Sequence, residues 1–204
     1  MLGRQKQAGD TIIEVLFAIT VFSLLAVGAI AIMNQGTITA QRALEVTLVR
    51  QQVDAQVEAI RYLQQQYSDD LASGSTSSSD SQWSEMLKPE HVESESSAFG
   101  VTDDGKCQPI PDKAFVLNAR TATVSTVQPK VSGGDADSTP FAQVRYTDTP
   151  TANTVQSAYG IWVEAVKSVP SQKYVDFHIR ACWYGPGSGS PLTLGTIVRL
   201  YAAN

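Results

Sequence analysis

Apolar residues follow three successive patterns along this chain, and each pattern predicts a different element. From Ile12 to Met33 nearly every position is apolar, and Glu14 is the only charged residue in the run. A helix of this length rises roughly 33 Å at ~1.5 Å per residue, which is enough to cross a hydrocarbon core of ~30 Å. The run is also longer than the ~7–15 apolar residues of an ordinary secretory signal. It therefore predicts a transmembrane helix.

The second pattern is an apolar residue at every third or fourth position through residues 37–67, a stretch without glycine or proline. Its members are Val46, Val49, Val53, Val57, Ile60, Leu63 and Tyr67. This spacing gives a helix one apolar stripe. We predict one continuous helix from about Asp10 to Tyr67, in which a membrane half (10–36) is followed by an amphipathic half packed on a folded domain. A separate coiled-coil stalk is the alternative.

The third pattern, over residues 106–204, consists of short segments rich in β-branched and aromatic residues, separated by glycine and proline. The predicted strands are Ala114–Asn118, Thr121–Val127, Phe141–Tyr146, Tyr159–Val166, Tyr174–Tyr184 and Thr193–Tyr201. Apolar and polar residues alternate through Tyr174–Tyr184, which is typical of a half-buried antiparallel strand. The last three strands predict a meander whose apolar face lies on the helix stripe. The predicted fold class is α+β, with a long N-terminal helix packed on a C-terminal antiparallel β-sheet.

Residues 68–105, between the helix and the strands, have a different composition. Ten serines lie between positions 73 and 97, and the whole segment holds nine acidic residues and a single basic one, Lys88. Such a composition predicts a solvated, serine-rich acidic loop. Trp83, Met86 and Leu87 are predicted to form a short docked turn within it.

Charge and motif content exclude several classes of function. The net charge of −5, from 15 basic and 20 acidic residues, counts against nucleic acid as a partner, because that normally requires a basic face. Two cysteines and two histidines are too few for a convincing all-Cys/His zinc site or an iron–sulfur cluster. The chain contains no G-x-S-x-G, H-E-x-x-H, P-loop or G-x-G-x-x-G motif. We therefore expect no enzyme activity, cofactor or metal site.

The residues before the apolar run carry a motif. Residues 1–9 form a short leader with the basic residues Arg4 and Lys6, and Gly9-Asp10-Thr11-Ile12-Ile13-Glu14 follows. The basic leader predicts a cytoplasmic N-terminus. Together these features resemble the class III signal of type IV prepilins and pseudopilins, and the resemblance covers roughly residues 1–36. The family usually has Phe or Met where this chain has Asp10.

The resemblance implies a processing pathway and a set of partners. A membrane prepilin peptidase would cut after Gly9 and N-methylate Asp10, the new first residue. Glu14, then the fifth residue, would set the register between subunits by pairing with the α-ammonium of Asp10 on a neighbour. The implied function is a structural subunit, a minor pilin or a pseudopilin, of a type IV pilus-like or type II secretion-like filament. The alternative is a static single-pass membrane protein that displays a β-rich binding domain.

Cys107 and Cys182 are the only cysteines, and both lie in the part of the chain predicted to be extracytoplasmic, at the cell surface or in a filament. An oxidising compartment favours a disulfide between them, in agreement with the resemblance, since pilins commonly carry a disulfide in this region. Two free thiols or an intermolecular bond are the alternatives. Because Cys182 falls on the polar face of its strand, the loop that holds Cys107 is expected to cross that face.

Overall fold

A computed structural model describes residues 11–74, 78–131, 139–147, 153–169, 171–185 and 189–201. The chain forms two compact units, Met1–Gln41 and Arg42–Asn204.

The described part of the first unit is helical throughout. Helix α1 spans Thr11–Ser73, so its first half supplies this unit. An 18-residue window of the helix reaches a mean hydropathy of 2.7, and none of that window is buried. The hydroxyls of Thr20 and Ser23 donate to the carbonyls of Phe17 and Ile19, which satisfies them within the helix. A helix of this length and composition is compatible with a single-pass membrane anchor.

In the second unit, the remainder of α1 packs its apolar stripe into the core. Val49, Val53, Ile60 and Leu63 are at most 3% exposed and belong to the same cluster as the apolar side chains of the sheet. Val46, at the start of the predicted stripe, is instead 37% exposed. The predicted helix is confirmed in type, although it extends past Tyr67, to Ser73. The helix-on-sheet arrangement confirms the α+β prediction.

The other elements follow α1 in chain order. They are α2 (Ser78–Met86), β1 (Val92–Glu93), β2 (Leu117–Asn118), β3 (Thr123–Val124), β4 (Gln143–Tyr146), β5 (Val155–Tyr159), β6 (Ile161–Val166), β7 (Tyr174–Trp183) and β8 (Leu192–Tyr201). The main sheet has the order β1-β6-β7-β8, in which β1 is parallel to β6 and the other neighbours are antiparallel. The antiparallel pairs β2–β3 and β4–β5 lie outside it. Consecutive pairing of β6, β7 and β8 confirms the predicted meander.

The structure differs from several of the predicted strands in where they begin and end. The predicted strand Tyr159–Val166 contains β6 and only the last residue of β5, because Gly160 adopts a φ of +63° and separates the two strands; residues 155–158 of β5 were not predicted as strand. A left-handed φ is accessible to glycine without the steric cost that other residues pay. The segment before the break pairs with β4, while the segment after it enters the main sheet. The predicted strands Ala114–Asn118 and Thr121–Val127 shrink to β2 and β3, of two residues each.

The serine-rich segment contributes to the core. The predicted docked turn is the nine-residue helix α2, in which Trp83 is 2% exposed and Met86 is fully buried. The Trp83 ring lies 6.0 Å from the ring of Tyr67 on α1 and 5.9 Å from that of Phe177 on β7. Helix α2 is therefore packed between α1 and the main sheet.

Candidate functional site

The N-terminal motif lies partly outside the described residues, which do not include Gly9 or Asp10. Glu14 lies in the first turn of α1, where a carboxylate interacts favourably with the positive end of the helix dipole. Its side chain is exposed, and no hydrogen bond or ion pair joins it to another described residue. Around it, Ile12, Ile13 and Phe17 are each at least 70% exposed. Glu14 is thus a carboxylate on an uncovered apolar helix.

The two cysteines form the predicted disulfide. Cys107 and Cys182 are bonded to each other, and both side chains are buried. They share a small apolar cluster with Ala114 and Trp162, separate from the main core. The loop that carries Cys107 crosses the polar face of β7, as expected from the position of Cys182.

A buried polar network lies on the sheet face opposite the main core. We call this the outer face, and it carries Glu164 of β6 and Arg180 of β7. The Glu164 carboxylate is 1% exposed and accepts from Nη1 of Arg180 at 2.9 Å and from Nε1 of Trp162 at 2.7 Å. Burial lowers the pKa of Arg180, while Glu164 opposes that shift. Good hydrogen-bond geometry on both partners is what a buried ion pair requires.

A loop segment, residues 94–107, covers this network, and we call it the strap. The Ser97 hydroxyl donates to the Glu164 carboxylate at 2.8 Å, and Nη1 of Arg180 donates to the Ser97 carbonyl at 3.0 Å. Nη2 of Arg180 donates to the hydroxyl of Ser96 at 2.6 Å. The ring of Phe99 lies over the Arg180 guanidinium, 5.0 Å away. On the polar face predicted for β7, Arg180 and Cys182 are buried, whereas Tyr174, Asp176 and His178 remain partly exposed.

Where the strap packs on the edge strand β8, it meets a glycine. A Cβ built on Gly195 of β8 would lie 3.0 Å from Cε1 of Phe99. The missing side chain makes room for the phenyl ring, which also meets Trp162 edge-on at 6.1 Å. Beside it, an open groove of about 380 Å³ is lined by Phe99, Gly195 and Ile197 and by the polar residues His178, Arg180 and Thr196.

His178 is the titratable member of the network. Its Nδ1 lies 3.2 Å from Nη2 of Arg180 and 3.3 Å from the hydroxyl of Ser96. Burial, followed by the positive charge of Arg180, lowers the pKa of His178, while Glu164 and Asp176 oppose the shift. The neutral imidazole is therefore favoured.

Two further surface features lie outside this network. Glu85, Glu90 and His91 place possible ligand atoms within 4.8 Å of one another, but the Lys88 ammonium lies 2.6 Å from Glu85 and supplies the positive charge there. A second open groove, of about 430 Å³, lies between α1 and the β2–β3 connection. Its lining is Ala55, Glu58, Ala59, Tyr62, Ala119, Arg120, Thr121 and Ala122.

The sequence interpretation missed the Glu164–Arg180 pair. One signal was present, because Glu164 is the only charge in Ile161–Val166, a strand that is buried at every position. A charge inside such a strand requires a partner. The identity of that partner depends on the register of β6 with β7, which pairs Glu164 with His178 and Trp162 with Arg180.

Comparisons with protein-family models, with curated proteins and with solved structures each found no match to this chain.

Proposed function

We propose that this protein is a structural subunit, of the minor pilin or pseudopilin type, of a type IV pilus-like or type II secretion-like filament. One observation carries the proposal: a basic leader and the segment Gly9 to Glu14 directly precede an apolar helix that the described chain leaves uncovered. In a bilayer those side chains would face lipid, and in a filament they would face the helices of neighbouring subunits. One helix would serve in both settings.

Glu14 gives the proposal a specific assembly mechanism. A carboxylate that moves into a bundle of apolar helices requires a positive partner, because an unpaired buried charge costs several kcal/mol. Cleavage after Gly9 would create that partner, the α-ammonium of Asp10 on an adjacent subunit. The pair would select one axial register, as single buried polar residues do in coiled coils. Cleavage would also remove the basic leader, which otherwise holds the N-terminus on the cytoplasmic side.

The architecture of the second unit supports the same role. The amphipathic half of α1 is packed on the sheet, so the folded domain is attached directly to the assembly helix. The disulfide between Cys107 and Cys182 supports an extracytoplasmic position for this domain. We infer a single-pass orientation with a cytoplasmic N-terminus, and partners consisting of a prepilin peptidase, other filament subunits and the membrane. The proposed role is structural and involves no catalysis.

A second candidate is a static, single-pass protein that displays the β-rich domain. Asp10 favours it, because the prepilin family usually has Phe or Met at this position. The two candidates differ in processing, since the static protein requires no cleavage.

The deciding experiment is intact mass measurement with N-terminal peptide sequencing of the protein from its native membrane and from sheared surface fibres. We expect a chain that begins at Asp10. Gly9→Leu should block cleavage, whereas Gly3→Leu, a matched change within the leader, should leave it intact. A wild-type chain that still begins at Met1 would exclude the filament role and leave the static display protein.

A further inference from the structure

The strap is attached to the sheet differently at its ends and in its middle. Just before it, β1 pairs with β6, and the Lys167 amide donates to the Glu93 carbonyl at 2.8 Å. At its far end, Cys107 is covalently bonded to β7. Between these points, the hydrogen bonds from the strap to the sheet within the described residues come from Ser96 and Ser97. The middle can therefore open locally while both ends stay in place.

We propose that the strap is a pH-gated cover: protonation of His178 releases residues 96–99 from the outer face and widens the groove beside Phe99, while β1 and the disulfide retain the two ends. This inference does not depend on the proposed filament role.

The trigger is the hydrogen bond between Arg180 and His178. A guanidinium has donors only, so Nδ1 of His178 must accept from Nη2 of Arg180, and the proton of the neutral ring lies on Nε2. Protonation places a second donor on Nδ1, directed at the same guanidinium, and sets two cations side by side in a half-buried site. The Ser96 hydroxyl contacts both groups, so rearrangement of either one disturbs the bonds that hold the strap.

The charges that face His178 come from three strands. Arg180 on β7 disfavours protonation, whereas Glu164 on β6 and Asp176 on β7 favour it. The influence of Asp176 is reduced by Arg199 on β8, which donates two hydrogen bonds to its carboxylate at 2.7 and 2.8 Å. On the strap itself, Glu95 directly precedes Ser96, which contacts His178, and the side chain of Glu95 is exposed. Ile197, the residue opposite His178 on β8, is uncharged.

The sign of the pH effect follows from the balance of these influences. Burial and Arg180 together outweigh the two carboxylates, so the pKa of His178 lies below its ordinary value of about 6.5. The closed strap therefore favours the neutral ring. Its stabilisation by His178 is fully present above the ordinary pKa and is lost as the pH falls through the lowered pKa.

The test is amide hydrogen exchange, measured by mass spectrometry on the full-length chain in detergent micelles at pH 7.5 and 5.5. Rates are corrected for the intrinsic pH dependence of exchange. We expect the strap amides, including Ser97 N–H, which donates to Glu164, to exchange faster at the lower pH. One proton allows at most a change of about tenfold per pH unit. The amides of β7 should keep their protection.

Two matched variants isolate the trigger. His178→Asn keeps an acceptor close to the position of Nδ1 and cannot be protonated, so its strap should exchange equally at both pH values. His91→Asn changes the only other histidine, which packs on Phe115, and should retain the acid response. The proposal is overturned if the wild-type strap exchanges equally at both pH values, if His178→Asn keeps the response, or if His91→Asn loses it.

A second measurement requires no variant. In the wild-type protein, NMR signals of the His178 ring and of the Trp162 indole N–H, which lies beneath the strap, should titrate with the same midpoint. Different midpoints would show that strap opening is not linked to His178.

Discussion

The side-chain amide of Gln56 hydrogen bonds to both backbone groups of Leu117, as a neighbouring strand would. Its Nε2 donates to the Leu117 carbonyl at 2.8 Å, and its Oε1 accepts from the Leu117 amide at 2.8 Å. Gln56 is 1% exposed and Leu117 is fully buried, so water cannot replace either bond. A helix residue thereby completes the backbone hydrogen bonding of β2, which has only two residues and one strand partner.

Replacement of Gln56 should therefore be costly. Gln56→Met preserves the side-chain volume but leaves the amide and carbonyl of Leu117 unpaired, and each buried unpaired group costs about 1–3 kcal/mol. We expect the free energy of unfolding to fall by about 2–6 kcal/mol in chemical denaturation. Gln51→Met, at an exposed position of the same helix, should change it by less than about 0.5 kcal/mol. Equal effects of the two substitutions would contradict the assignment.

The buried ion pair of the outer face should be more sensitive than an exposed one. Arg180→Met leaves the Glu164 carboxylate buried without its cation, a change that typically costs about 3–5 kcal/mol. Arg199→Met removes the cation from Asp176 in a pair whose arginine side chain is 51% exposed, and should cost about 0–1 kcal/mol. Denaturation of both variants under identical conditions makes the comparison. A loss at Arg180 no larger than that at Arg199 would contradict the larger contribution of the buried pair to stability.

The Asp176–Arg199 pair predicts a small pH dependence of stability. The hydrogen bonds from Arg199 lower the pKa of Asp176 below its ordinary value, so the ionised form is favoured by folding. This contribution is present above the ordinary carboxyl pKa and is lost as the pH falls through the lowered value. The difference in stability between wild type and Arg199→Met should therefore shrink as the pH is lowered from 5 towards 2. A difference that stays constant across this range would exclude the linkage.

The disulfide should contribute substantially to the stability of the second unit. It closes a loop with a sequence separation of 75 residues, for which the chain-entropy model gives up to about 4.5 kcal/mol. The Cys107→Ala/Cys182→Ala double variant should be destabilised by about 2–5 kcal/mol, as measured by chemical denaturation. A reductant should destabilise the wild type by a similar amount and leave the double variant unchanged. An effect of reductant on the double variant would point to a different cause.

Glu14 supplies the prediction that bears on assembly. Glu14→Ala should leave membrane insertion and cleavage largely intact, because an apolar residue inserts at least as readily as a carboxylate. It should impair incorporation into filaments, since the α-ammonium of the neighbouring subunit then has no partner. Quantification of the protein in sheared fibres relative to membranes is the measurement. Glu58→Ala, at an exposed position of the same helix in the second unit, is the control. Normal incorporation of Glu14→Ala would remove the pairing mechanism.

Local patterns were sufficient for much of the fold. The continuous apolar run predicted a helix long enough to span a membrane. Apolar residues spaced three or four apart predicted a buried stripe from Val46 to Tyr67, of which the members from Val49 to Leu63 are buried. Alternation through Tyr174–Tyr184 predicted β7, and the position of Cys182 on its polar face predicted that a loop crosses there. These features can be predicted from sequence because the repeat of a helix or a strand fixes which side chains share a face, whatever the rest of the chain does.

Other features depend on residues that are distant in sequence. The sequence around Gly160 does not indicate whether this residue lies within a strand or separates two strands. The answer depends on β4, which pairs with β5, the strand just before Gly160. Residues 68–105 were predicted to be a solvated loop with a short docked turn at Trp83, whereas that turn is the nine-residue helix α2, and its Trp83 is buried between α1 and β7. Composition averages over a window, but a single large aromatic residue is sufficient to dock a helix.

The sequence by itself determined the apolar helix, its amphipathic continuation, the meander and the N-terminal motif from Gly9 to Glu14. Only the tertiary structure decided that Glu164 meets Arg180, that Ser96 and Ser97 cover them, and that His178 must accept a hydrogen bond from a guanidinium. The physical reason is that these contacts require a particular strand register together with a loop returned to the sheet by a disulfide. A one-residue change in register would place the same side chains on the opposite face.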